Sequence, residues 1–123
     1  MDGNNAFGEF VRERRLAAGI NLRKLADILD IAPAYMSDIE NGHRYPPEKD
    51  KIYKIAETLH LTPDETDKLF DLAAGNKKNS VSPDIADYIM EQDKSRVALR
   101  IARDKGAGEK EWEKIIRILE GKD

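Results

Sequence analysis

Apolar residues recur at helical spacing between residues 21 and 42, and two short helices joined by a tight corner account for their order. The first helix has an apolar face of four residues: Leu25, Ala26, Ile28 and Leu29. Residues 30–32 follow, which are too few for a loop. Pro33 then suits the first position of a second helix, because a backbone N–H at that position would have no hydrogen-bond partner within the helix. Met36 and Ile39, with Ala32, are expected to face the first helix. The spacing predicts a helix–turn–helix unit, although a helical hairpin of any function has the same pattern.

Residues that favour helix ends divide the first part of the chain into further helices. Gly19 is suited to close one helix because glycine tolerates a left-handed backbone, and Asn21 is suited to cap the next. Thr62, Pro63 and Glu65 form a strong helix start, with a threonine cap and a glutamate three residues later. The pattern predicts five helices, over about residues 5–18, 22–29, 33–41, 48–59 and 62–74.

A polar segment, GNKKNS, separates these helices from a second helical block. The block has three predicted helices, starting at Ser82-Pro83-Asp84 and covering about 94–104 and 109–120. The last one carries a stripe at helical spacing: Trp112, Ile115, Ile116 and Leu119. Because about forty residues cannot easily fold alone, the block must pack on the first domain, on a second copy of the chain, which we favour, or on another protein. The predicted organisation is a domain over 1–75, a linker over 76–81 and a helical dimerisation or interaction segment over 82–123.

The core, corner and cap positions of the predicted helix–turn–helix unit, and the loop after it, hold Leu25-Ala26, Ile31, Met36-Ser37, Ile39-Glu40, Asn41-Gly42 and Pro46-Pro47. In these residues the chain resembles the Cro/phage-repressor family of regulators, the Xre-like proteins. It extends over about residues 7–74. The resemblance implies an all-α fold with a compact five-helix domain, here followed by about three helices. It also implies homodimeric binding to a palindromic operator and, usually, repression.

The resemblance further implies which residues contact DNA. Relatives read base edges from the start and middle of the second helix of the motif, here residues 33–41. Ala34 could contact a thymine methyl group, Asp38 could accept a hydrogen bond from cytosine N4, and Tyr35 offers a ring and a hydroxyl. Each of these residues could equally be a solvated surface residue. The expected DNA-binding residues are Arg23, Lys24, Ala34, Tyr35, Ser37, Asp38, Asn41, His43, Arg44 and Tyr45.

Two further residues are implied to have a structural role. In relatives, an arginine late in the first helix pairs with the glutamate before the Asn-Gly cap. The corresponding residues here are Arg15 and Glu40. The resemblance therefore implies a partly buried ion pair that holds the first helix against the third.

Net charge gives only mild guidance. Residues 1–75 carry ten basic and fourteen acidic side chains, whereas DNA-binding domains are more often basic. The distribution of charge matters more than its sum. Basic residues cluster around the first two predicted helices: Arg12, Arg14, Arg15, Arg23 and Lys24. Acidic residues collect farther along, at Asp64, Glu65, Asp67 and Asp71. We therefore expect one positive and one negative face.

Other classes of function find little support in the sequence. The absence of cysteine excludes disulfides, thiolate metal sites and thiol nucleophiles. No signal peptide and no apolar run of about eighteen residues is present, so we expect a cytoplasmic protein without a membrane partner. His43 and His60 lack metal-ligand spacing, and no glycine-rich phosphate loop occurs. We expect no metal, no cofactor and no catalytic residue.

The sequence thus predicts a sequence-specific DNA-binding transcriptional regulator, a homodimeric repressor that lays helix 33–41 in the major groove of double-stranded DNA. The alternative is a protein-binding module, or an antitoxin-type regulator, whose C-terminal helices bind a partner protein. Failure to bind any duplex at low salt would favour the module. A stable second protein in a pull-down would favour the antitoxin.

Overall fold

The computed structural model of the protein describes residues 5–75, 77 and 79–122, and over these residues it consists of helices without a strand. This described part of the chain contains eight helices: α1 (Ala6–Ala17), α2 (Leu22–Ile28), α3 (Pro33–Glu40), α4 (Lys49–Thr58), α5 (Pro63–Ala74), α6 (Pro83–Glu91), α7 (Asp93–Lys105) and α8 (Glu109–Leu119). The predicted all-α fold, with a five-helix domain followed by three helices, is confirmed.

The chain divides into two compact units, Met1–Ala86 and Asp87–Asp123. The first unit contains α1 to α5 and the start of α6. The predicted linker lies within this first unit, between α5 and α6, and two of its residues, 76 and 78, lie outside the described part of the chain. Among the described residues, no helix combines the length and the apolar character needed to cross a membrane.

The core of the first unit is built from one inward face of each of its five helices. Its largest fully buried apolar side chains are Phe7, Val11, Leu25, Met36, Ile39, Ile52, Ile55, Leu69 and Phe70. Met36 and Ile39 lie on this face as predicted, but Ala32 is exposed, contrary to expectation. The reason is that Ala32 caps α3 in an extended conformation, so its methyl group does not follow the helical face.

The corner between α2 and α3 follows from local backbone preferences. Asn21 caps α2, with its side-chain oxygen accepting from the backbone N–H of Lys24 at 2.7 Å. Asp30 ends α2 in the left-handed region, at φ 57°, and the N–H of Ile31 then bonds the carbonyl of Ala26 at 3.0 Å. Pro33 occupies the first turn of α3. The tight corner predicted from three residues therefore forms by an αL turn and a proline start.

Helix α1 passes very close to the C-terminal end of α3. A Cβ placed on the buried Gly8 would lie 2.5 Å from the carbonyl oxygens of both Ile39 and Glu40. The side chain of Asn5 also donates to the carbonyl of Glu40 at 2.9 Å. Glycine at position 8 therefore allows α1 to pack closely on α3. A methyl group at this position would collide with backbone carbonyl oxygens, which cannot move aside as a flexible side chain could.

We expect Gly8→Ala to lower the free energy of unfolding by about 1–3 kcal/mol, because overpacking outweighs the gain in helix propensity. Thermal unfolding followed by circular dichroism measures this. Glu13→Ala, on the exposed side of the same helix, is the matched control and should change stability by less than about 0.5 kcal/mol. A Gly8→Ala protein as stable as this control would contradict the close approach.

Helix α5 begins at the motif predicted for it. Thr62 accepts from the backbone N–H of Glu65, whose carboxylate accepts in turn from the N–H of Thr62 at 2.9 Å. This backbone bond, together with Arg14 at 2.5 Å, lowers the pKa of Glu65. Because the pKa of Glu65 is lower in the folded than in the unfolded state, its ionised carboxylate stabilises the fold at pH values above the unfolded-state pKa. This stabilisation is lost as the pH falls through the folded-state pKa. Glu65 therefore ties the start of α5 to α1 at neutral pH.

The second unit exposes most of its apolar side chains. None of its described residues, 87–122, is buried. The corner between α6 and α7 is held by Arg96, which donates to the carbonyls of Ile89 and Met90 and pairs with Asp93 at 2.6 Å. The exposed large apolar residues of the second unit are Tyr88, Met90, Val97, Leu99, Ile101, Trp112, Ile115, Ile116, Ile118 and Leu119. A pair of amphipathic helices with so much open apolar surface is poorly stabilised as an isolated unit.

Candidate nucleic-acid interface

Helix α3 has one buried side and one open side. Met36, Ile39 and Glu40 point into the first unit and are all at most 1% exposed. The other side carries four residues, which we call the outer face of α3: Ala34, Tyr35, Ser37 and Asp38. Ala34 is exposed and the other three are partly exposed. The motif thus presents α3 to an external partner with hydrogen-bonding groups along its length.

A buried ion pair holds α3 against α1. The guanidinium of Arg15 donates from Nε to Glu40 Oε2 at 2.7 Å and from Nη2 to Glu40 Oε1 at 2.9 Å, and its third nitrogen donates to the carbonyl of Ile20 at 3.0 Å. The hydrogen bond to Glu40 raises the pKa of Arg15 against the opposing effect of burial. Arg15 and Glu40 are therefore buried together, and each provides the opposite charge and the hydrogen-bond partners that the other requires.

The loop after α3 returns over the outer face of the helix. The guanidinium carbon of Arg44 lies 5.0 Å from the centre of the Tyr35 ring, a distance typical of cation–π contact. Its Nε lies 3.9 Å from Asp38 Oδ2, and His43 Nδ1 lies 3.9 Å from the other oxygen of Asp38. The carboxylate of Asp38 is thus directed at two side chains of the same chain. Arg44 remains largely exposed and is held beside the outer face.

Asn41 ends α3 within a small polar network. Its amide oxygen accepts from Arg12, and its amide nitrogen donates to Ser37 Oγ at 3.3 Å. Arg12 also lies 3.5 Å from Glu40 Oε1. Arg12 is not among the DNA-binding residues expected from the sequence. The available signal was its position three residues before Arg15, which places both arginines on one side of α1.

The remaining expected residues lie at two edges of the motif. Arg23 and Lys24 are exposed at the start of α2, where they line a cleft of about 480 Å³ together with Asn21, Asp27, Ile31 and Pro33. Tyr45 lies in the loop after α3, and its ring centre is 4.9 Å from Lys77 Nζ. The structure therefore brings the expected residues near α3 into two groups of contacts, Tyr35 with Asp38, His43 and Arg44, and Ser37 with Asn41. Arg23 and Lys24 lie apart from both groups, at the start of α2.

The expected cluster of basic residues around the first helices is only partly present. Arg14 pairs with Glu65 of α5 and stacks 5.1 Å above the ring of Phe10, so it is directed at α5. Arg15 is buried. Arg12 is partly exposed and contacts Asn41 at the end of α3, next to the buried pair of Arg15 with Glu40. Within the described ranges, no group of three His, Cys, Asp or Glu residues is arranged to hold a metal ion.

A known protein family matches the part of the chain that contains α2 and α3. Residues 11–65 match a family model described as helix-turn-helix, and the matched segment runs from within α1 to the start of α5. The family resemblance of the first domain is therefore confirmed. One solved structure similar to this chain is the clp gene regulator ClgR from C. glutamicum, with 23% identity and a TM-score of 0.46, covering 63% of this chain and 95% of that one. No curated protein matches the chain.

Proposed function

We propose that this chain, a DNA-binding transcriptional regulator with a helix-turn-helix domain at residues 11–65, acts as a homodimeric repressor on a palindromic operator. In this domain class the second helix of the motif lies in the major groove and the first crosses the backbone. The corresponding helices are α3 and α2. The proposal includes no catalytic step.

The observation that carries the proposal is the division of α3 into a buried side and a polar outer face. A helix that reads a major groove must keep hydrogen-bonding groups free of its own domain while a rigid core holds its axis. Met36 and Ile39 anchor α3 in the core, and the Arg15–Glu40 pair fixes its end. The exposed parts of the outer face are then available for base edges, while Tyr35, Ser37 and Asp38 also contact residues of their own domain.

The outer face supplies few base contacts, so we assign them by chemistry. Ala34 and Tyr35 offer apolar contact with a thymine methyl group, and Ser37 can donate or accept. Asp38 can accept from cytosine N4, but its contacts with His43 and Arg44 give it a second role as a support for these side chains. Specificity would then rest on few direct contacts, supplemented by the shape of the DNA.

Phosphate contacts are assigned to the flanks of the outer face. Arg44, His43 and Tyr45 follow α3, and Asn41 ends it. Arg23 and Lys24 flank the start of α2. Cations on two sides of the reading helix are suited to the two phosphate backbones that border a major groove. The acidic side chains of α5 do not exclude this, because local charge governs contact with phosphate more than net charge does.

Dimerisation is assigned to the second unit. Its helices α7 and α8 have exposed apolar faces, with Leu119 at 81% and Ile118 at 62% exposure. A second copy of the same two helices would provide a matching apolar surface with the same pattern of flanking charges, as in a four-helix bundle. Two helix-turn-helix domains held in this way would read half-sites about 34–36 Å apart.

Hydroxyl-radical footprinting on a bound duplex tests this arrangement. We expect two protected regions related by a dyad, centred about one helical turn apart. A single protected region, with one subunit bound, would contradict the dimeric mode while leaving DNA binding intact.

We expect Arg44→Ala to weaken DNA binding about ten- to a hundredfold at moderate salt, because each subunit of the dimer loses a cation held beside the outer face of α3. Fluorescence anisotropy with a labelled duplex measures the change. Lys54→Ala, on the exposed side of α4, removes the same charge and is the matched control. If both variants bind equally well while keeping the wild-type melting temperature, Arg44 is not a contact residue.

The second candidate function is binding of a partner protein by the C-terminal helices, and the same exposed apolar surface favours it. The two candidates differ in what covers this surface. Purified protein that sediments as a dimer supports the homodimer. A monomer that becomes stable only with a co-purified second protein supports the partner-binding, antitoxin-type function.

A further inference from the structure

The segment between α5 and α6 places a lysine on the loop that follows the reading helix. Lys77 Nζ lies 4.9 Å from the centre of the Tyr45 ring, although 32 positions separate the two residues in the chain. Tyr45 directly follows Arg44, whose guanidinium stacks on Tyr35 of α3. Two cation–π contacts, of Arg44 with Tyr35 and of Lys77 with Tyr45, therefore connect the outer face of α3 to Lys77.

We propose that Lys77 binds a DNA backbone phosphate next to the bases read by α3, which makes this residue part of the DNA interface. This inference rests on the proposed function. The ammonium group of Lys77 contacts the ring of Tyr45 on one side. Because Lys77 is exposed, an anion can approach this ammonium group from the side that faces solvent. A phosphate oxygen is the anion that DNA offers at this position.

The local sequence supports an anionic partner for this segment. No acidic residue occurs between Asp71 and Asp84, whereas residues 77 and 78 are both lysine. This stretch is basic in a domain whose first 75 residues carry a net negative charge. The contact of Lys77 with Tyr45 puts the positive charge of Lys77 where that domain has to approach DNA.

The contact with Tyr45 also explains how a lysine outside any helix acquires a defined position. A free lysine loses side-chain entropy when it binds phosphate, whereas a lysine already held on a ring loses less. Tyr45 is thus a positioning residue for Lys77, in addition to any contact of its own with DNA. This predicts that removing the ring has a smaller effect than removing the lysine charge.

The salt dependence of DNA binding tests the proposal with the full chain. We expect Lys77→Gln to reduce the slope of log affinity against log salt by about two for the dimer, one per subunit, and to weaken binding about ten- to thirtyfold near 0.1 M salt. The loss should be similar for all duplex sequences, since phosphate contacts carry no base information. Lys77→Arg should keep the wild-type slope, and Tyr45→Leu should weaken binding by a smaller factor than Lys77→Gln.

Lys68→Gln is the matched control. Lys68 also lies over an aromatic ring, 5.7 Å from the centre of Phe10, but it belongs to α5 and faces α1. Its replacement should leave the slope unchanged. Equal slopes for Lys77→Gln, Lys68→Gln and wild type would overturn the assignment of Lys77 while leaving the proposed function standing. Absence of duplex binding by the wild-type protein would overturn both.

Discussion

Glu40→Ala is expected to destabilise the first domain by about 3–5 kcal/mol, because it leaves the charge of Arg15 buried without its partner. Glu40 is completely buried, and both of its carboxylate oxygens accept hydrogen bonds from Arg15. An arginine cannot escape this cost by losing its proton at neutral pH. A loss of this size is comparable to the whole stability of many small domains.

Denaturant unfolding followed by circular dichroism measures the effect, with two further variants as controls. Asp38→Ala, on the outer face of α3, removes an exposed carboxylate that also pairs with an arginine, and should cost less than about 1 kcal/mol. The double variant Arg15→Met with Glu40→Leu removes both charges and should recover much of the stability, since apolar replacement of a buried pair is often close to neutral. A Glu40→Ala protein that melts like wild type but no longer binds DNA would contradict a structural role.

Ile116→Asp is expected to convert the protein to a monomer and to lower its affinity for a two-site operator by about 10²- to 10⁴-fold. The carboxylate would be introduced into the exposed apolar face of α8, where burial against a second copy would leave it without a partner. Without dimerisation the second half-site no longer benefits from the high effective concentration that a linked domain provides. Affinity for a single half-site should hardly change.

Sedimentation equilibrium and binding to one-site and two-site duplexes test this together. Lys110→Asp introduces the same side chain on the polar side of α8, and it should remain a dimer with unchanged two-site affinity. If Ile116→Asp stays dimeric and binds as tightly as the control, α8 does not form the dimer contact. If the wild-type protein is itself a monomer, the homodimer is wrong.

Local signals in the sequence were sufficient to predict the helices and their ends. Asn21 and Thr62 each accept a hydrogen bond from a backbone N–H at a helix start, and this preference needs only a few neighbouring residues. Pro33 likewise starts α3 because its fixed φ suits the first turn. Ala32 is the exception: apolar character and spacing suggested an inward position, but the extended backbone at the cap turns it outward.

Contacts between distant elements were less accessible to sequence reasoning. Arg14 belonged to the expected basic cluster, yet it pairs with Glu65, because the start of α5 lies beside α1 in the fold. The sequence predicts Asp38 as a base contact, but its distances to His43 and Arg44 depend on the path of a loop with no regular period. The contact of Lys77 with Tyr45 depends on the same loop, so the sequence did not predict it. Periodicity locates side chains on one helix, but it carries no information on which loop returns to that helix.

Sequence-specific recognition of DNA is the central claim, and selection of bound duplexes from a random pool tests it most directly. The protein should enrich a palindromic sequence with half-sites about 34–36 Å apart, and its affinity for that sequence should fall linearly with log salt. Enrichment of one half-site only would preserve recognition but contradict the dimer. No enrichment over the starting pool at low salt would contradict the claim itself.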